Sequence, residues 1–392
     1  MSELNYLEKL LNGVEVEWKT IGDVTSVLRG KRLTKNLLSA EEEFPVFHGG
    51  LEPLGYYNKS NRPANTVMII NVGASAGTVG YSTVDFWSSD GCFCLEQNEL
   101  LDNRFLYFAL IGYQSLLKSK VRIAGIPTLD AIVVNKLLIP IPCPGNPEMS
   151  LAIQSEIVRI LDTFTTLTAE LTAELTARKK QYDYYRDQLL SFKYGWISPY
   201  MEKLLDGVEV EWLPLELIAK IKHGKDWKGL GKGIVPVYGS GGVMGYVDTC
   251  SYDQPSVLIP RKGSITNIFY VEAPFWNVDT IYYTDIETSK IIPKYLYHFI
   301  KTIDLMALDT GSGRPSLTQA ILNKLHIPIP CPNNPEKSLS IQAEIVRILD
   351  KFDKLTGSIT EGLPREIELR QKQYEYYRDL LFSFPKPESV NH

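Results

Sequence analysis

Residues 149–192, MSLAIQSEIVRILDTFTTLTAELTAELTARKKQYDYYRDQLLSF, predict one long helix. Apolar residues recur in it at steps of four and three, which is the 3.5-residue period of a helix packed along a partner helix. This seam comprises Ile153, Ile157, Ile160, Phe164, Leu167 and Leu171. Because neither glycine nor proline interrupts the stretch, we expect a continuous helix of about 65 Å.

A second copy of this helix lies near the end of the chain, at residues 338–384. It keeps the apolar seam at Ile341, Ile345, Ile348, Phe352 and Leu355. Gly362 and Pro364 come after the seam, and proline inside a helix removes a hydrogen bond and clashes with the preceding turn, so a break or kink is expected there. The two helices are therefore predicted to pack against each other.

The whole chain has one plan that is used twice. The segment LEKLLNGVEVEW at Leu7–Trp18 returns as MEKLLDGVEVEW at Met201–Trp212, and NKLLIPIPCP at Asn135–Pro144 returns as NKLHIPIPCP at Asn323–Pro332. Between these segments about 120 residues of each half match only faintly. We therefore predict an α+β protein with a pseudo-twofold internal repeat, in which two mixed α/β domains are separated by two long antiparallel coiled-coil helices. The predicted segments are 1–148 (domain), 149–199 (helix), 200–337 (domain) and 338–392 (helix and tail).

Short apolar runs in both variable regions predict strands. They are VMIINVG (67–73) and FCLE (93–96) in the first half, and SVLIP (256–260), NIFYV (267–271) and TIYYT (280–284) in the second. Helical patterns interrupt them near Arg104–Leu117 and Lys294–Leu305. The IPIPCP segments are too rich in proline for a central strand or a helix, so they are expected to be rigid extended lead-ins to the long helices.

The composition is that of an ordinary globular protein of 392 residues with a net charge of −5. Its five cysteines show no CxxC spacing, so we expect structural roles for them and no metal site. No apolar run approaches the roughly 20 residues that span a bilayer, and the N-terminus lacks a hydrophobic signal core. A cytoplasmic location without membrane attachment is expected.

Catalytic signatures are missing from the sequence. We find no GxSxG, HExxH or P-loop motif, and the glycine-rich stretch at Gly73–Gly77 lacks the acidic residue that a dinucleotide site needs about 20 positions later. The chain is therefore expected not to be an enzyme.

Basic clusters occur at matching positions in the two diverged regions. Lysine and arginine on glycine-rich loops can neutralise phosphates, and arginine or histidine can bind base edges. A solvated surface loop is the alternative for any one cluster. From charge and repeat position, the candidate DNA-binding residues are Lys31, Arg32, His48, Lys120, Arg122, Lys222, Lys225, Tyr238, Arg261, Lys262 and Arg314.

A tandem tetrapeptide distinguishes the first long helix from the second: TAEL occupies 168–171 and again 172–175. Each unit adds about 6 Å to a helix and rotates the downstream residues by roughly 40°. The repeat is either simply good helix-forming sequence or an adjustable spacer.

This pattern resembles the specificity subunits of type I restriction–modification enzymes over essentially the whole chain. The similarity rests on NPEKSLSIQAEIVRILDKF (334–352), RQKQYEYYRDLLFSF (370–384), LEKLLNGVEVEW (7–18) and the TAEL repeat, which points to the type IC subgroup. The resemblance implies a non-catalytic subunit whose two target-recognition domains each bind one half of a split, asymmetric site in double-stranded DNA.

The resemblance also implies partners. The long helices would set the spacer between half-sites and dock two modification (methyltransferase) subunits, and restriction subunits would join the full complex. S-adenosylmethionine, ATP and Mg²⁺ are then expected on those partner subunits, with no cofactor on this chain. The outer faces of the helices supply the candidate partner contacts Glu156, Arg159, Glu344 and Arg347.

Two alternatives from other classes stay open at this point. One is a dimeric, enzyme-like protein whose duplicated domains each hold a small-molecule site, which requires a catalytic cluster that the sequence does not display. The other is a coiled-coil scaffold without a nucleic-acid role, which leaves the paired basic loops without a purpose.

Overall fold

The computed structural model describes residues 13–192, 199–311, 313–357 and 362–385, and the chain divides into two compact units. Unit 1 comprises Met1–Leu171 and Ile367–His392, whereas unit 2 comprises Thr172–Glu366. Both boundaries fall in the long helical segments, so each unit contains one α/β domain and a portion of each segment. The first residues of the repeat that begins at Leu7 lie outside the described residues.

Each unit contains three small sheets with the same strand order. The strands of unit 1 are β1 (Val16–Thr20), β2 (Val27–Arg29), β3 (Phe44–Phe47), β4 (Gly55–Tyr57), β5 (Thr66–Ile70), β6 (Val79–Ser82), β7 (Trp87–Ser88), β8 (Cys92–Leu95) and β9 (Leu138–Pro142). Those of unit 2 are β10 (Val210–Pro214), β11 (Ala219–Lys222), β12 (Val235–Gly239), β13 (Gly242–Val247), β14 (Ser256–Pro260), β15 (Phe269–Val271), β16 (Trp276–Asn277), β17 (Ile281–Ile286) and β18 (His326–Pro330).

The strand orders confirm the duplicated α+β plan. The four-stranded sheets run β2-β8-β5-β6 and β11-β17-β14-β15, and they are antiparallel throughout. The three-stranded sheets run β4-β3-β7 and β13-β12-β16, and each includes one parallel pair, β3 with β7 and β12 with β16. All five runs predicted to be strands contribute to these sheets.

The helices are α1 (Ile21–Val24), α2 (Asn103–Gly112), α3 (Gln114–Ser119), α4 (Ala131–Asn135), α5 (Pro147–Leu190), α6 (Pro199–Leu205), α7 (Pro293–Ile300), α8 (Gln319–Asn323), α9 (Pro335–Gly357) and α10 (Gly362–Leu381). Helices α2, α3 and α7 lie where helical patterns were predicted between the strands. None of the described helices is both long and apolar enough to cross a membrane.

The proline-rich segment before α5 is extended, as predicted, and it also pairs as a strand, which the prediction did not include. Strand β9 pairs with β1 in a two-stranded antiparallel sheet, with Pro140 opposite Trp18. Cys143 N continues this ladder by donating to Glu15 O at 2.8 Å. In an antiparallel ladder only every second residue of a strand bonds to the residue opposite. Pro140 and Pro142 occupy the positions in between, so the N–H group that proline lacks is not needed there. Strands β18 and β10 repeat the arrangement in unit 2.

Helix α5 confirms the predicted continuous long helix. Its apolar seam contacts both the core of the domain and a partner helix. At its start, Ile153, Ile157 and Leu161 are buried in the core of the unit 1 domain. Farther along, Phe164 stacks on Tyr377 within unit 1, with ring centroids 5.2 Å apart. At this turn the fully buried residue is Leu161, whereas the predicted seam residue, Ile160, is only partly buried. The difference arises because the domain core and the partner helix contact different faces of α5.

The second half of α5 packs against α9 within unit 2, where Tyr185 stacks on Phe352 at 5.5 Å. Phe164 contacts Tyr377, whereas Tyr185, which comes later in α5, contacts Phe352, which comes earlier in the chain than Tyr377. This reversed order is the one that antiparallel pairing requires. The predicted break before α10 falls partly on residues 358–361, which lie outside the described residues. Pro364 lies in the first turn of α10, where a proline costs no helical hydrogen bond.

A buried glutamine fixes each long helix to its domain in the same way. In unit 1, Gln154 Oε1 accepts from Asp102 N at 2.8 Å and its Nε2 donates to Leu100 O at 3.1 Å. In unit 2, Gln342 accepts from Ile292 N at 2.9 Å and donates to Lys290 O at 3.1 Å. Both glutamine side chains are fully buried, so these paired bonds align helix and domain.

Candidate nucleic-acid interface

The first basic loop of unit 1 comes directly after β2 and is fixed to the strand that carries Trp87. Lys31 N donates to Ser88 O at 2.9 Å, and the indole Nε1 of Trp87 donates back to Lys31 O at 2.8 Å. A Cβ atom at Gly30 would collide with the carbonyl oxygen of Ser89, so the close approach of the two backbones requires glycine. The loop therefore presents its cations on a fixed backbone.

Unit 2 has the same pair of hydrogen bonds at Lys225, although the residues around that lysine differ from those around Lys31. Lys225 N donates to Asn277 O at 2.9 Å, and Trp276 Nε1 donates to Lys225 O at 3.1 Å. A Cβ atom at Gly224 would likewise collide with the carbonyl oxygen of Val278. Lys31 and Lys225 are thus equivalent positions. The glycine and tryptophan that fix them were not predicted as site residues, although Phe86–Trp87 in the first half and Phe275–Trp276 in the second form a repeated pair in the sequence.

His48 lies beside this loop at the end of β3. Its Nδ1 is 3.2 Å from Ser89 Oγ and 3.4 Å from Asp90 Oδ1, and 38% of its side chain is exposed. Because Ser88 holds Lys31 and Ser89 contacts His48, the two predicted residues lie on neighbouring loops. This arrangement brings a cation and an imidazole to one edge of the domain.

A closed loop between α3 and α4 carries Arg122. Arg122 and Thr128 exchange two backbone hydrogen bonds of 2.9 and 3.0 Å, and the Arg122 guanidinium is 3.2 Å from the Asp130 carboxylate. Leu129 N donates to Asn71 O at 2.8 Å, and Asn71 N donates to Gly91 O at 3.1 Å. These bonds connect the Arg122 loop to the segment that carries Asp90 and so to the neighbourhood of His48.

The equivalent region of unit 2 contains Arg261, Lys262 and Arg314. Arg261 N donates to Thr280 O at 2.8 Å, and Leu317 N donates to Arg261 O at 2.8 Å. Lys262 forms an isolated bridge with Ser316, which places it beside the segment of Arg314. The structure therefore brings these three predicted residues together.

Asp309 organises the segment that ends in Arg314. Its Oδ1 accepts from Ser316 N at 2.7 Å and from Gly311 N at 2.8 Å. These backbone donors, with Ser316 the stronger, lower the pKa of the Asp309 carboxyl below its ordinary value. The sequence did not single out Asp309, because an acid in a basic loop carries no pattern of its own.

Most of the predicted cations are open to solvent. The exposed side chains are Lys31, Arg32, Lys120, Arg122, Lys222, Lys225, Lys262 and Arg314, whereas Arg261 is half-buried. Lys222 ends β11, and the adjacent His223 lies 3.1 Å from Gln319 Oε1. Lys120 caps α3 at the base of the Arg122 loop.

Tyr238 differs from the other predicted residues because its half-buried ring packs against an apolar cluster of the domain. It contacts Phe269 at 5.8 Å and Phe275 at 6.3 Å between ring centroids. Burial raises the pKa of its hydroxyl. It occupies the position of Phe47 in unit 1, a core residue, so packing accounts for its ring and a DNA contact stays a prediction.

The predicted partner contacts lie on the long helices as two matching ion pairs. Arg159 and Glu156 are 2.7 Å apart, and Arg347 and Glu344 are 2.6 Å apart, each pair spaced by three residues. More than half of each arginine side chain is exposed. The two helices thus present the same charge pattern at equivalent positions.

Comparison with known proteins identifies the family. The model of the type I restriction modification DNA specificity domain matches residues 13–178 and 215–369. The chain is 39% identical over its full length, and that of the relative, to the specificity subunit of the type I restriction enzymes EcoR124I and EcoR124II of Escherichia coli. It is 34% identical to the EcoprrI specificity subunit of the same organism, over 92% of this chain and 93% of the relative.

A solved structure shares the fold. The type I restriction–modification S subunit from M. genitalium matches with a TM-score of 0.65 at 22% identity, over 96% of this chain and 98% of that chain. The duplicated domains, the equivalent loops and the full-length similarity agree. The chain belongs to the family of type I restriction–modification specificity subunits.

Proposed function

We propose that this chain selects the DNA sequence on which a type I restriction–modification complex acts, and that each recognition domain, at about 1–148 and 200–337, binds one half of a bipartite site. The observation that carries the proposal is the pair of equivalent loop clusters. Lys31 and Lys225 are held by the same glycine and tryptophan contacts in domains that have otherwise diverged. The two domains hold their loops by the same contacts but surround them with different side chains, as expected of domains that recognise half-sites of different sequence.

The long helices serve the assembly in this proposal. They carry nearly identical sequences and identical Glu–Arg pairs, which suits two copies of one partner, the modification subunit. Glu156, Arg159, Glu344 and Arg347 are the proposed contacts, and the helix length sets the gap between half-sites. Restriction subunits complete the complex, which acts on cellular DNA in the cytoplasm. The chain itself is proposed to bind no cofactor, leaving S-adenosylmethionine, ATP and Mg²⁺ to its partners.

A salt titration of DNA binding tests the proposal, with the chain co-purified with the modification subunit of its own system. Each phosphate contact contributes about 0.9 to the slope of log affinity against log salt. Lys31→Ala and Lys225→Ala should each reduce that slope by about one and weaken binding to all sequences alike. Lys136→Ala and Lys324→Ala are matched controls, because both lysines are exposed and lie on the turns before β9 and β18, outside the loop clusters.

Each outcome separates the proposal from its alternatives. Salt-dependent, sequence-selective binding that the loop variants weaken and the control variants leave intact supports it. A complex that assembles but does not bind DNA supports the scaffold alternative instead. Equal effects of loop and control variants would remove Lys31 and Lys225 from the interface.

A further inference from the structure

Two isoleucines project from the Arg122 loop into solvent. Ile123 is 81% exposed and Ile126 is 70% exposed, although the loop that carries them is fixed. In addition to the closing bonds between Arg122 and Thr128, Gly73 N donates to Pro127 O at 2.9 Å. The exposure therefore belongs to the fixed geometry of the loop, and most of each side chain lies outside the packed core.

Cations lie beside this apolar pair in the sequence, although one of them, Arg122, also contacts the Asp130 carboxylate at 3.2 Å. Lys118, Lys120 and Arg122 precede the isoleucines, and all three side chains are exposed. A single exposed isoleucine needs no explanation, but two within four residues, beside three cations, form a distinct surface. Such a surface matches a DNA groove, where phosphates line the rim and base edges form the floor. Among base edges, the thymine 5-methyl group in the major groove is the apolar feature.

The equivalent loop of unit 2 supplies an internal comparison. Gly263 N donates to Pro315 O at 3.0 Å, just as Gly73 N donates to Pro127 O at 2.9 Å. The residue before the proline is Ile126 in unit 1 and Arg314 in unit 2. The same fixed position thus carries an aliphatic side chain in one domain and a guanidinium in the other. Arginine is the usual partner of guanine O6 and N7, whereas aliphatic groups contact the thymine methyl.

We infer that the Ile123–Ile126 loop recognises a thymine 5-methyl group in the half-site of unit 1, at the position in the interface where Arg314 recognises guanine in the half-site of unit 2. This inference rests on the proposed function and specifies its chemistry. In this inference the Ile123–Ile126 loop determines sequence specificity through apolar side chains, which a search for charged residues does not find.

Base analogues test the inference directly. Once the bipartite site is known, each thymine of both half-sites is replaced singly by uracil, which lacks only the methyl group, in binding assays with the assembled complex. Loss of one buried methyl should weaken binding about four-fold. Replacing each guanine by 7-deazaguanine, which lacks N7, should weaken binding at a position in the other half-site.

Variants then assign each effect to its loop. The Ile123→Ser/Ile126→Ser double variant should bind thymine and uracil sites equally and should still discriminate the other half-site. Arg314→Ala should lose the 7-deazaguanine effect only. Ile132→Ser is the matched control, because Ile132 is 61% exposed but lies in α4, and it should keep the full uracil effect. Unchanged melting temperatures confirm that the variants are folded.

Three results would overturn the inference. They are a uracil effect that survives in the isoleucine double variant, a wild-type complex that tolerates uracil at every thymine, and a recognised site without thymine in the half affected by the double variant. In all three the wild-type complex still binds its site selectively, so the proposed function stands. A complex that selects no sequence at all would instead refute the proposed function.

Discussion

The indole nitrogen of Trp87 donates a 2.8 Å hydrogen bond to the carbonyl oxygen of Lys31, and this bond joins the first basic loop of unit 1 to the β7 strand. The same ring packs edge-on against Tyr57 at 5.3 Å. A residue distant in sequence therefore fixes the backbone of a candidate DNA-binding lysine.

Trp87→Phe should weaken DNA binding about 2- to 10-fold, because it keeps an aromatic ring but removes the bond that positions Lys31. An affinity titration with the assembled complex measures the loss. Trp18→Phe is the control, since Trp18 also donates an indole bond, at 2.7 Å to Pro385 O, but lies in β1 outside the loop cluster. If both variants bind DNA equally well, the Trp87 bond does not position the loop.

Gln154→Ala and Gln342→Ala should each lower the free energy of unfolding by about 2–4 kcal/mol. Each change leaves a backbone N–H and a carbonyl group near a buried site without their partner. Urea denaturation of the chain provides the measurement. Gln254→Ala should change stability by less than about 0.5 kcal/mol, because that glutamine is exposed. Losses no greater than in this control would show that the glutamines do not fix the helices.

His298 predicts a pH dependence of stability. Its side chain is buried, and its Nε2 lies 3.2 Å from Asp350 Oδ1 and its Nδ1 3.1 Å from Tyr182 Oη. Burial, as the dominant cause, lowers the pKa of His298 below its ordinary value of 6.5, against the opposing effect of Asp350 and Asp353. Below pH 6.5 the unfolded chain therefore binds more protons than the folded chain, and stability falls as the pH drops from about 6.5 towards the lowered pKa.

His298→Phe should remove this part of the pH dependence, since Phe108 occupies the equivalent position in unit 1. Asp350 keeps its 2.9 Å contact with Lys294, so the variant does not leave that carboxylate alone. Urea denaturation at pH 7.5, 6.5 and 5.5 should give a shallower fall for the variant, by at most about 1.4 kcal/mol per pH unit. Identical pH profiles for the two proteins would show that His298 does not contribute.

Deletion of residues 172–175, one TAEL unit, should shorten the gap between half-sites and leave both halves unchanged. The deletion removes about 6 Å of helix, which corresponds to at most about two base pairs at 3.4 Å each. The recognised motif of the deletion variant is determined from its methylated sites. Glu174→Ala, which keeps the length of α5, is the control and should keep the gap. An unchanged gap after deletion would refute the spacer interpretation.

Much of the fold can be predicted from the sequence because periodicity reports it directly. The seam of α5 and the strands β5, β8, β14, β15 and β17 lie where apolar patterns place them. The extended conformation of β9 was predicted, but its pairing with β1 was not, because the spacing of its prolines fits a ladder only once the partner strand is known. The burial of Leu161 was not predicted, because the seam was assigned to a single partner helix, whereas α5 packs against both a domain core and a helix.

The candidate site could be predicted from the sequence only in part. Charge and repeat position indicated Lys31, Lys225 and Arg314, because cations in loops leave a local signal. Trp87 fixes Lys31 through a hydrogen bond to a residue distant in sequence, so the repeated Phe-Trp pair marks the tryptophan but not its partner. Asp309 bonds to Gly311 and Ser316, which are near it in sequence, but an acid among basic residues carries no pattern that indicates such bonds. Tyr238 was chosen by repeat position alone, which does not distinguish a surface side chain from one packed on Phe275.

The most direct test of bipartite recognition is detection of N6-methyladenine across the DNA of cells that express this chain with the modification subunit of its system. We predict a new bipartite motif of two short specific halves around a fixed gap, absent from cells that express the modification subunit alone. Methylation at a continuous motif, or none at all from a complex shown to assemble, would contradict the claim that two domains of this chain each recognise half of the site.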